Sequence, residues 1–235
     1  MTFTLIGIKK ETDRVQTFRF SSDAPVVYRA GQHVNLRLMH EKVDNRGTIR
    51  SFSLSSSPTE RHLAVTTNRG DSSFKKRLFS LPVGDTIEAR GPGGGFVFRE
   101  EHKDHHVMIA GGIGITPFRS MLASVNSSKL DCPITLLYSN RTPEEIVFRQ
   151  YLEQLQQTIR FKLVHTITRP EASGVPWNGR IGRIDERCII EYSKAESIYY
   201  VCGSEQFVEA VTGLLSLLKV PAERVRFEKF PGYTS

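Results

Sequence analysis

The sequence predicts two domains: an N-terminal antiparallel β-barrel, then a C-terminal α/β domain on a doubly wound, parallel five-stranded sheet. Three observations carry this. Residues 1–102 hold six short β-branched or aromatic segments punctuated by Gly, Pro and Asp, with one helical interruption, the spacing of a small barrel or sandwich. Residues 103–235 alternate apolar strands with amphipathic stretches, the order that buries a parallel sheet between helices. At the join, His105–Leu122 runs apolar strand, glycine-rich turn and helix start in succession. A chain of 235 residues suits two domains of roughly 100–130 residues each.

In the first half, Phe3–Lys9 and Val15–Ser21 read as strands joined by the polar turn Lys10–Arg14. Within Gly31–Leu38, Val34, Leu36 and Leu38 alternate with polar residues, the period of a half-buried strand. Thr48–Ser55, Leu63–Thr67 and Thr86–Arg90 complete the series, and Ser72–Leu81, after Gly70, is the one helix. Two spots offer more than folding. Alternate residues of a strand share a face, so Arg50, Phe52 and Leu54 lie on one side and Ser51, Ser53 and Ser55 on the other. A guanidinium beside a ring suits a phosphate next to a planar group, and it equally suits an ordinary strand with an exposed arginine. Gly70-Asp71-Ser72-Ser73-Phe74 reads either as an anion cradle or as a simply capped helix.

The second half opens with Val107–Ala110, which ends in Gly111-Gly112-Ile113-Gly114-Ile115-Thr116-Pro117. A glycine turn between strand and helix presents backbone N–H groups and a helix N-terminus to a phosphate. Thr116–Ala123 begins a helix, with Pro117 suited to its first turn. Pro133–Ser139 is a buried strand, and Glu144–Gln157 a helix with apolar positions 147, 148, 151, 152 and 155 on one face. Phe161–Thr168 (strand), Asp185–Tyr192 (helix), Ile198–Cys202 (strand), Glu205–Leu218 (helix) and Val225–Phe230 (strand) follow. In such a sheet ligands sit at the carboxyl ends of the strands.

An ordinary dinucleotide turn adds a third Gly or Ala and an acidic residue ~20 positions on, at the end of the next strand. Here Thr116-Pro117 fills the first place, and that strand ends Tyr138-Ser139-Asn140-Arg141 without a carboxylate. This argues against an ordinary NAD dehydrogenase. Cys202, on an apolar strand, is either a small core residue or a group facing a ligand. Ser139, Arg141, Arg169, Arg180 and Arg183 would suit a ribose 2′-phosphate, which favours NADPH, unless they are merely solvated loop residues.

Composition narrows the classes. Apolar content of 39% and charge of 24% are those of a globular chain with material for real cores. The net charge is +7, of which +5 (16 Lys and Arg against 11 Asp and Glu) falls before residue 103. No basic cluster exceeds Lys75-Lys76-Arg77, too little for a nucleic-acid footprint. Three widely spaced cysteines, 132, 188 and 202, match no disulfide framework, zinc site or iron–sulfur ligand set, and His102, His105 and His106 read as solvated linker residues rather than metal ligands. No signal peptide or membrane-length apolar run is visible, so a reduced cytoplasmic setting is expected.

Taken in order, these motifs resemble the ferredoxin–NADP reductase family. RSFSLSS is similar to its Arg-x-Tyr-Ser flavin signature, and GDSS followed by Leu78 to its Gly-x-x-Ser pyrophosphate motif. Pro82-Val83-Gly84-Asp85 and Gly91-Pro92 resemble its linking turns, and Gly-Gly-x-Gly-x-Thr-Pro its nicotinamide turn. Val201-Cys202-Gly203-Ser204 is similar to its Cys-Gly-Pro motif. Two departures stand out: Phe52 replaces the usual Tyr, which removes a hydroxyl contact to flavin, and Ser204 replaces Pro.

The resemblance implies a flavin-binding barrel over 1–102, holding FAD (FMN being the lesser alternative), and an NAD(P)-binding domain over 103–235. Arg50, Ser51, Phe52, Ser53, Thr66, Gly70 and Ser73 would bind the flavin, with Ser53 near its reactive edge. Gly112, Gly114, Thr116, Pro117, Ser139, Arg141, Arg169, Arg183, Cys202 and Gly203 would hold the dinucleotide. Cys202 would orient the nicotinamide, Glu228 would assist proton movement, and Phe230 or Tyr233 would shield the ring. The implied activity is hydride transfer from NADH or, by the arginine argument, NADPH to FAD. Electrons would pass onward to an acidic protein such as ferredoxin or flavodoxin, drawn by the basic first half. Reduction of free flavin, quinone or ferric iron, and a non-catalytic flavin- or nucleotide-binding module, stay open as alternatives.

Overall fold

The computed structural model describes residues 1–100 and 104–230. It divides into two compact units, one of residues 1–98 with 119–124, the other of residues 99–118 and those from 125 onward.

The first unit is antiparallel throughout. Its strands are β1 (Thr2–Lys10), β2 (Val15–Ser22), β3 (His33–Arg37), β4 (Ile49–Ser53), β5 (Leu63–Asn68) and β6 (Thr86–Gly93), in the order β4-β3-β6-β1-β2-β5. A bridge between Leu54 and Val65 ties the end of β4 to β5 and closes the barrel. Alternation does the sorting: Phe3 and Leu5, Phe18 and Phe20, and Val34 and Leu36 all point into one core with Leu54 and Val65. Each such side chain contributes roughly 1.5–3 kcal/mol on burial.

Helix α1 (Ser73–Phe79) is shorter than the expected Ser72–Leu81. Ser72 stands outside it as the N-cap, its hydroxyl accepting from the Lys75 N–H, and Phe74 and Leu78, one turn apart, anchor it to the barrel core.

The second unit has a parallel sheet of six strands rather than five. Strands β7 (His106–Gly111), β8 (Ile134–Asn140), β9 (Phe161–Ile167), β10 (Arg180–Ile181), β11 (Ile198–Ser204) and β12 (Val225–Phe230) lie in the order β10-β9-β8-β7-β11-β12. The added strand, β10, is two residues long and pairs only with β9, too short to leave a periodic signal. Helices α2 (Thr116–Ser127), α3 (Arg149–Leu155), α4 (Glu186–Tyr192) and α5 (Glu205–Leu217) connect the strands. The chain winds outward from β7 to β10, then returns to β11 on the other flank of β7. The topological switch therefore falls between β7 and β11, the place where such sheets open a ligand crevice.

Two expectations need correction here. The helix expected over Glu144–Gln157 is confined to Arg149–Leu155, preceded by a 3₁₀ turn at Pro143–Glu145. Phe148, with φ +60°, takes a left-handed conformation that ends helical continuity, so Ile146, Val147 and Phe148 are buried as a loop plug rather than as a helix face. The histidines are not solvated linker residues either. His105 bridges the Ser197 and Thr135 hydroxyls (3.0 and 2.9 Å), and His106 is fully buried beside the Tyr200 ring. His102 lies outside the described residues, as does the expected domain boundary at 102/103.

Candidate functional site

At the carboxyl end of β7 the glycine turn forms one 3₁₀ turn, Gly112–Ile115, that runs into α2. Gly112 adopts φ +51°, which a side chain would strain. A Cβ on Gly114 would collide with the Cys202 carbonyl and stand 2.7 Å from the Gly203 Cα. The turn is thus pressed against the end of β11, backbone on backbone. Thr116 is buried and donates its hydroxyl to the Ile113 carbonyl (3.1 Å), and Pro117 occupies the first turn of α2.

Cys202 pairs in register with Ala110 on one side and Glu228 on the other. It is fully buried; burial first, and then the charge of Glu228, hold its thiol well above the usual range. A neutral thiol there can position a neighbour but is no nucleophile. Gly203 and Phe230 continue the same strand ends, with Phe230 opposite Ser204. Ser204, the departure from Pro, is the N-cap of α5: its hydroxyl accepts from the Phe207 N–H. Tyr233 lies outside the described residues.

Around the next strand end, Ser139 and Arg141 leave β8, and Arg169 N–H donates to the Arg141 carbonyl (2.8 Å), which sets the two strand exits side by side. Arg141 is not free. Its Nε reaches Glu145 Oε2 at 3.1 Å and its Nη2 reaches Oε1 at 3.0 Å. The carboxylate absent from the end of the strand in sequence is therefore supplied four residues later by the Pro143–Glu145 turn. Arg180 pairs with Asp185 and Glu191, while Arg169 and Arg183 are exposed and make no ion pair among the described residues. Tyr138, buried on β8, donates its hydroxyl to the Gly112 carbonyl (3.1 Å) and accepts the Val147 N–H (3.3 Å).

In the first unit, Arg50 and Phe52 share one face of β4. Phe52 lies against Phe74 (centroids 5.8 Å apart), and the Arg50 guanidinium sits 5.5 Å from the same Phe74 ring. Arg50 donates to the Arg46 and Ile49 carbonyls (both 2.7 Å) and pairs with Asp44 (3.4 Å). The other Asp44 oxygen accepts the Ser73 N–H (2.8 Å), and the Ser73 hydroxyl meets His40 Nε2 (2.8 Å) and accepts the Asp44 N–H (3.1 Å). Arg50 and Ser73, far apart in sequence, thus meet around one carboxylate. Lys75 packs over Gly70, and burial, then the Arg50 charge, push its ammonium down to about 8.

Ser53 is buried at the end of β4, while Ser51 faces outward and donates to Asn35. Thr66 is placed differently from the expected set: it is buried within the barrel, its hydroxyl shared with Thr17 and Ser55 (2.8 Å each). The basic run also divides. Lys75 reaches Asn68 and Arg77 reaches Asp85, which leaves Lys76 as its exposed cation.

Residues 2–98 match the family described as "Oxidoreductase FAD-binding domain", and residues 108–213 match "Oxidoreductase NAD-binding domain". The chain belongs to the ferredoxin–NADP reductase-like flavoprotein family. It is similar to the glycine betaine monooxygenase reductase subunit of Chromohalobacter salexigens, with 30% identity over 89% of this chain and 58% of that protein. It is also similar to the nitrate reductase [NADPH] of Leptosphaeria maculans, with 32% identity over 79% of this chain and 23% of that one. The chain therefore spans little more than half of the first of these relatives. Among solved structures, the FAD/NAD-binding domain of nitric oxide dioxygenase from Vibrio cholerae superposes with a TM-score of 0.84 at 21% identity, over 98% of each chain. That likeness is one of fold.

The residues of this ferredoxin–NADP reductase-like chain fit both groups. Burial first, and then the Arg50 charge, lower Lys75, so a flavin diphosphate placed beside these two cations would meet positive charge on both sides. Phe52, partly buried and backed by the buried Phe74 ring, provides an apolar face beside them. The Gly112–Thr116 turn brings backbone N–H groups to the switch point, and a Cβ on Gly112 would meet no atom within 4 Å. Sequence reasoning missed Asp44, His40, Lys75, Glu145 and Tyr138. Asp44-Asn45-Arg46-Gly47 carries turn chemistry, and Pro143 marks a turn that can reverse the chain, but neither cue says which distant residue the turn reaches.

Proposed function

We propose that this chain is an NAD(P)H-dependent flavoprotein reductase that takes a hydride onto FAD and passes electrons to a separate protein acceptor. When bound, FAD supplies the chemistry that turns two-electron transfer from a nicotinamide into one- or two-electron delivery. The chain contributes binding and orientation. Arg50, Lys75 and Ser73 would neutralise and hold the diphosphate, Phe52 would cover the ring, and Ser53 would lie near its reactive edge. Gly112, Gly114 and Thr116 would take the dinucleotide, and Cys202 with Gly203 would set the nicotinamide by packing. Glu228, in register with Cys202, would assist proton movement near the site. The observation that carries this reading is the Gly114 turn pressed without space for a Cβ onto Cys202 and Gly203, in a chain whose first unit matches an FAD-binding family.

The acceptor is proposed to be an acidic electron-transfer protein such as a ferredoxin or flavodoxin. Support comes from the net charge of +7, and from the reductase role named for the Chromohalobacter relative. Among the described residues no helix is long and apolar enough to cross a membrane, and the three cysteines are free and buried, which suits a reducing cytoplasmic setting. We place the domain boundary at 102/103. Anaerobic addition of NADH or NADPH to flavin-loaded protein tests the activity. Bleaching of the visible flavin band, followed by reoxidation on adding ferredoxin or flavodoxin, is expected. A static spectrum would identify a non-catalytic binding module, and reoxidation by free flavin alone would overturn the protein acceptor.

A further inference from the structure

In a strand–turn–helix–strand dinucleotide unit, the end of the second strand faces the adenosine ribose. A carboxylate there accepts the 2′-hydroxyl, and an arginine accommodates a 2′-phosphate. Here the second strand is β8, and both residue types stand at its end. Arg141 and Glu145 form a bidentate pair, Nε to Oε2 at 3.1 Å and Nη2 to Oε1 at 3.0 Å. One fork of a guanidinium is what a phosphate would use, and Glu145 already occupies it. Backbone geometry holds the carboxylate in place: Glu145 N–H donates to the Thr142 carbonyl (3.2 Å) and Ile146 N–H to the Pro143 carbonyl (3.3 Å). The pair is open to a ligand, with the Arg141 and Glu145 side chains 58% and 37% exposed. The adjacent Glu144 is engaged elsewhere, both of its oxygens on the Ser173 hydroxyl (2.7 and 2.8 Å).

We propose that Glu145 determines nucleotide specificity in this chain, so that it favours NADH over NADPH. The proposal rests on the reductase reading above. Glu145 accepts from the ribose hydroxyl of NADH while keeping Arg141 as its own counter-ion. A 2′-phosphate must break that pair and then meets the displaced carboxylate at close range. Arg180 offers no substitute, being held by Asp185 and Glu191. Arg169, exposed beside Arg141, remains as the cation that gives NADPH a residual affinity. A count of arginines favours NADPH; their pairing reverses that preference.

Calorimetric titration of flavin-loaded protein with NAD⁺ and with NADP⁺ reads the preference without turnover. Wild type is expected to bind NAD⁺ about fivefold or more tighter than NADP⁺. Glu145→Gln is expected to tighten NADP⁺ about five- to tenfold and to weaken NAD⁺ severalfold, the scale of a charge-assisted bond gained or lost. Adding Arg141→Ala to Glu145→Gln should erase the gain for NADP⁺, and Glu144→Gln should leave the ratio unchanged. A wild type that prefers NADP⁺, a ratio within twofold of wild type in Glu145→Gln, or an equal shift in Glu144→Gln would each overturn the proposal while leaving the reductase reading intact. Binding of neither nucleotide would overturn both.

Discussion

At Gly114 a methyl group would have to share space with the Cys202 carbonyl and the Gly203 Cα, both backbone, so neither neighbour can rotate away. Gly114→Ala is therefore expected to lower stability by about 1–3 kcal/mol or more, since overpacking moves the backbone, and to weaken NAD⁺ binding at least tenfold. Thermal unfolding and titration check the two parts separately. The role proposed for Cys202 is one of packing rather than reactivity, because burial keeps its thiol protonated. Cys202→Ala should slow flavin reduction by roughly 10- to 100-fold, the cost of a small misplacement of reacting groups, with flavin content unchanged. Stopped-flow rates equal to wild type would refute that role, and Cys188→Ala, at a buried cysteine on α4, serves as the control.

Two serines hold the starts of helices that flank the candidate sites. Ser72 caps α1 and Ser204 caps α5, each accepting from an N–H three residues on. Replacing either with Ala is expected to cost about 1 kcal/mol, read as a shift in denaturation midpoint. A Pro at 204 would likewise remove the hydroxyl, so this departure from the family pattern has a local structural use. At this scale the sequence was informative wherever periodicity and structure coincide. Strict alternation located β3, and the apolar run with its glycine turn located β7 and the turn at its carboxyl end. It failed where apolar spacing imitated a helix: Val147 and Phe148 fit the helical face of 151, 152 and 155 but are buried through a left-handed turn. β10 was invisible because two residues carry no period. The glycine turn of the site was legible because its chemistry is local. The Asp44 bridge between Arg50 and Ser73, and the return of Glu145 to Arg141, depend on loop paths that composition does not specify.

Across the second unit, one half-buried imidazole should contribute a distinct part of the acid response. His165 lies between the Tyr138 and Trp177 rings, and neither ring nitrogen has a hydrogen-bond partner among the described residues. Burial first, then the charge of Arg149, with Glu153 opposing, bring it down to about 4. The folded pKa lies below the unfolded value near 6.5, so the unfolded chain binds the proton more tightly. Its contribution is fully present above pH 6.5 and is lost as pH falls toward 4, on the order of 2–3 kcal/mol. His165→Phe should flatten that part of the stability profile in urea titrations at pH 4.5 and 7; an unchanged slope would rule it out.

The Tyr138 hydroxyl has a different reach. One buried oxygen joins the Gly112 carbonyl to the Val147 amide, so two turns 35 residues apart in sequence are fastened at a single atom. A phenylalanine at 138 would leave both backbone groups without that partner, at about 1–3 kcal/mol for each buried group left unmade. More tellingly, it would uncouple them. In Tyr138→Phe, amide chemical-shift changes at Val147 on binding inorganic pyrophosphate should vanish while those at Gly112 persist. The turn proposed to hold the phosphates and the segment that carries Glu145 would then no longer report on each other.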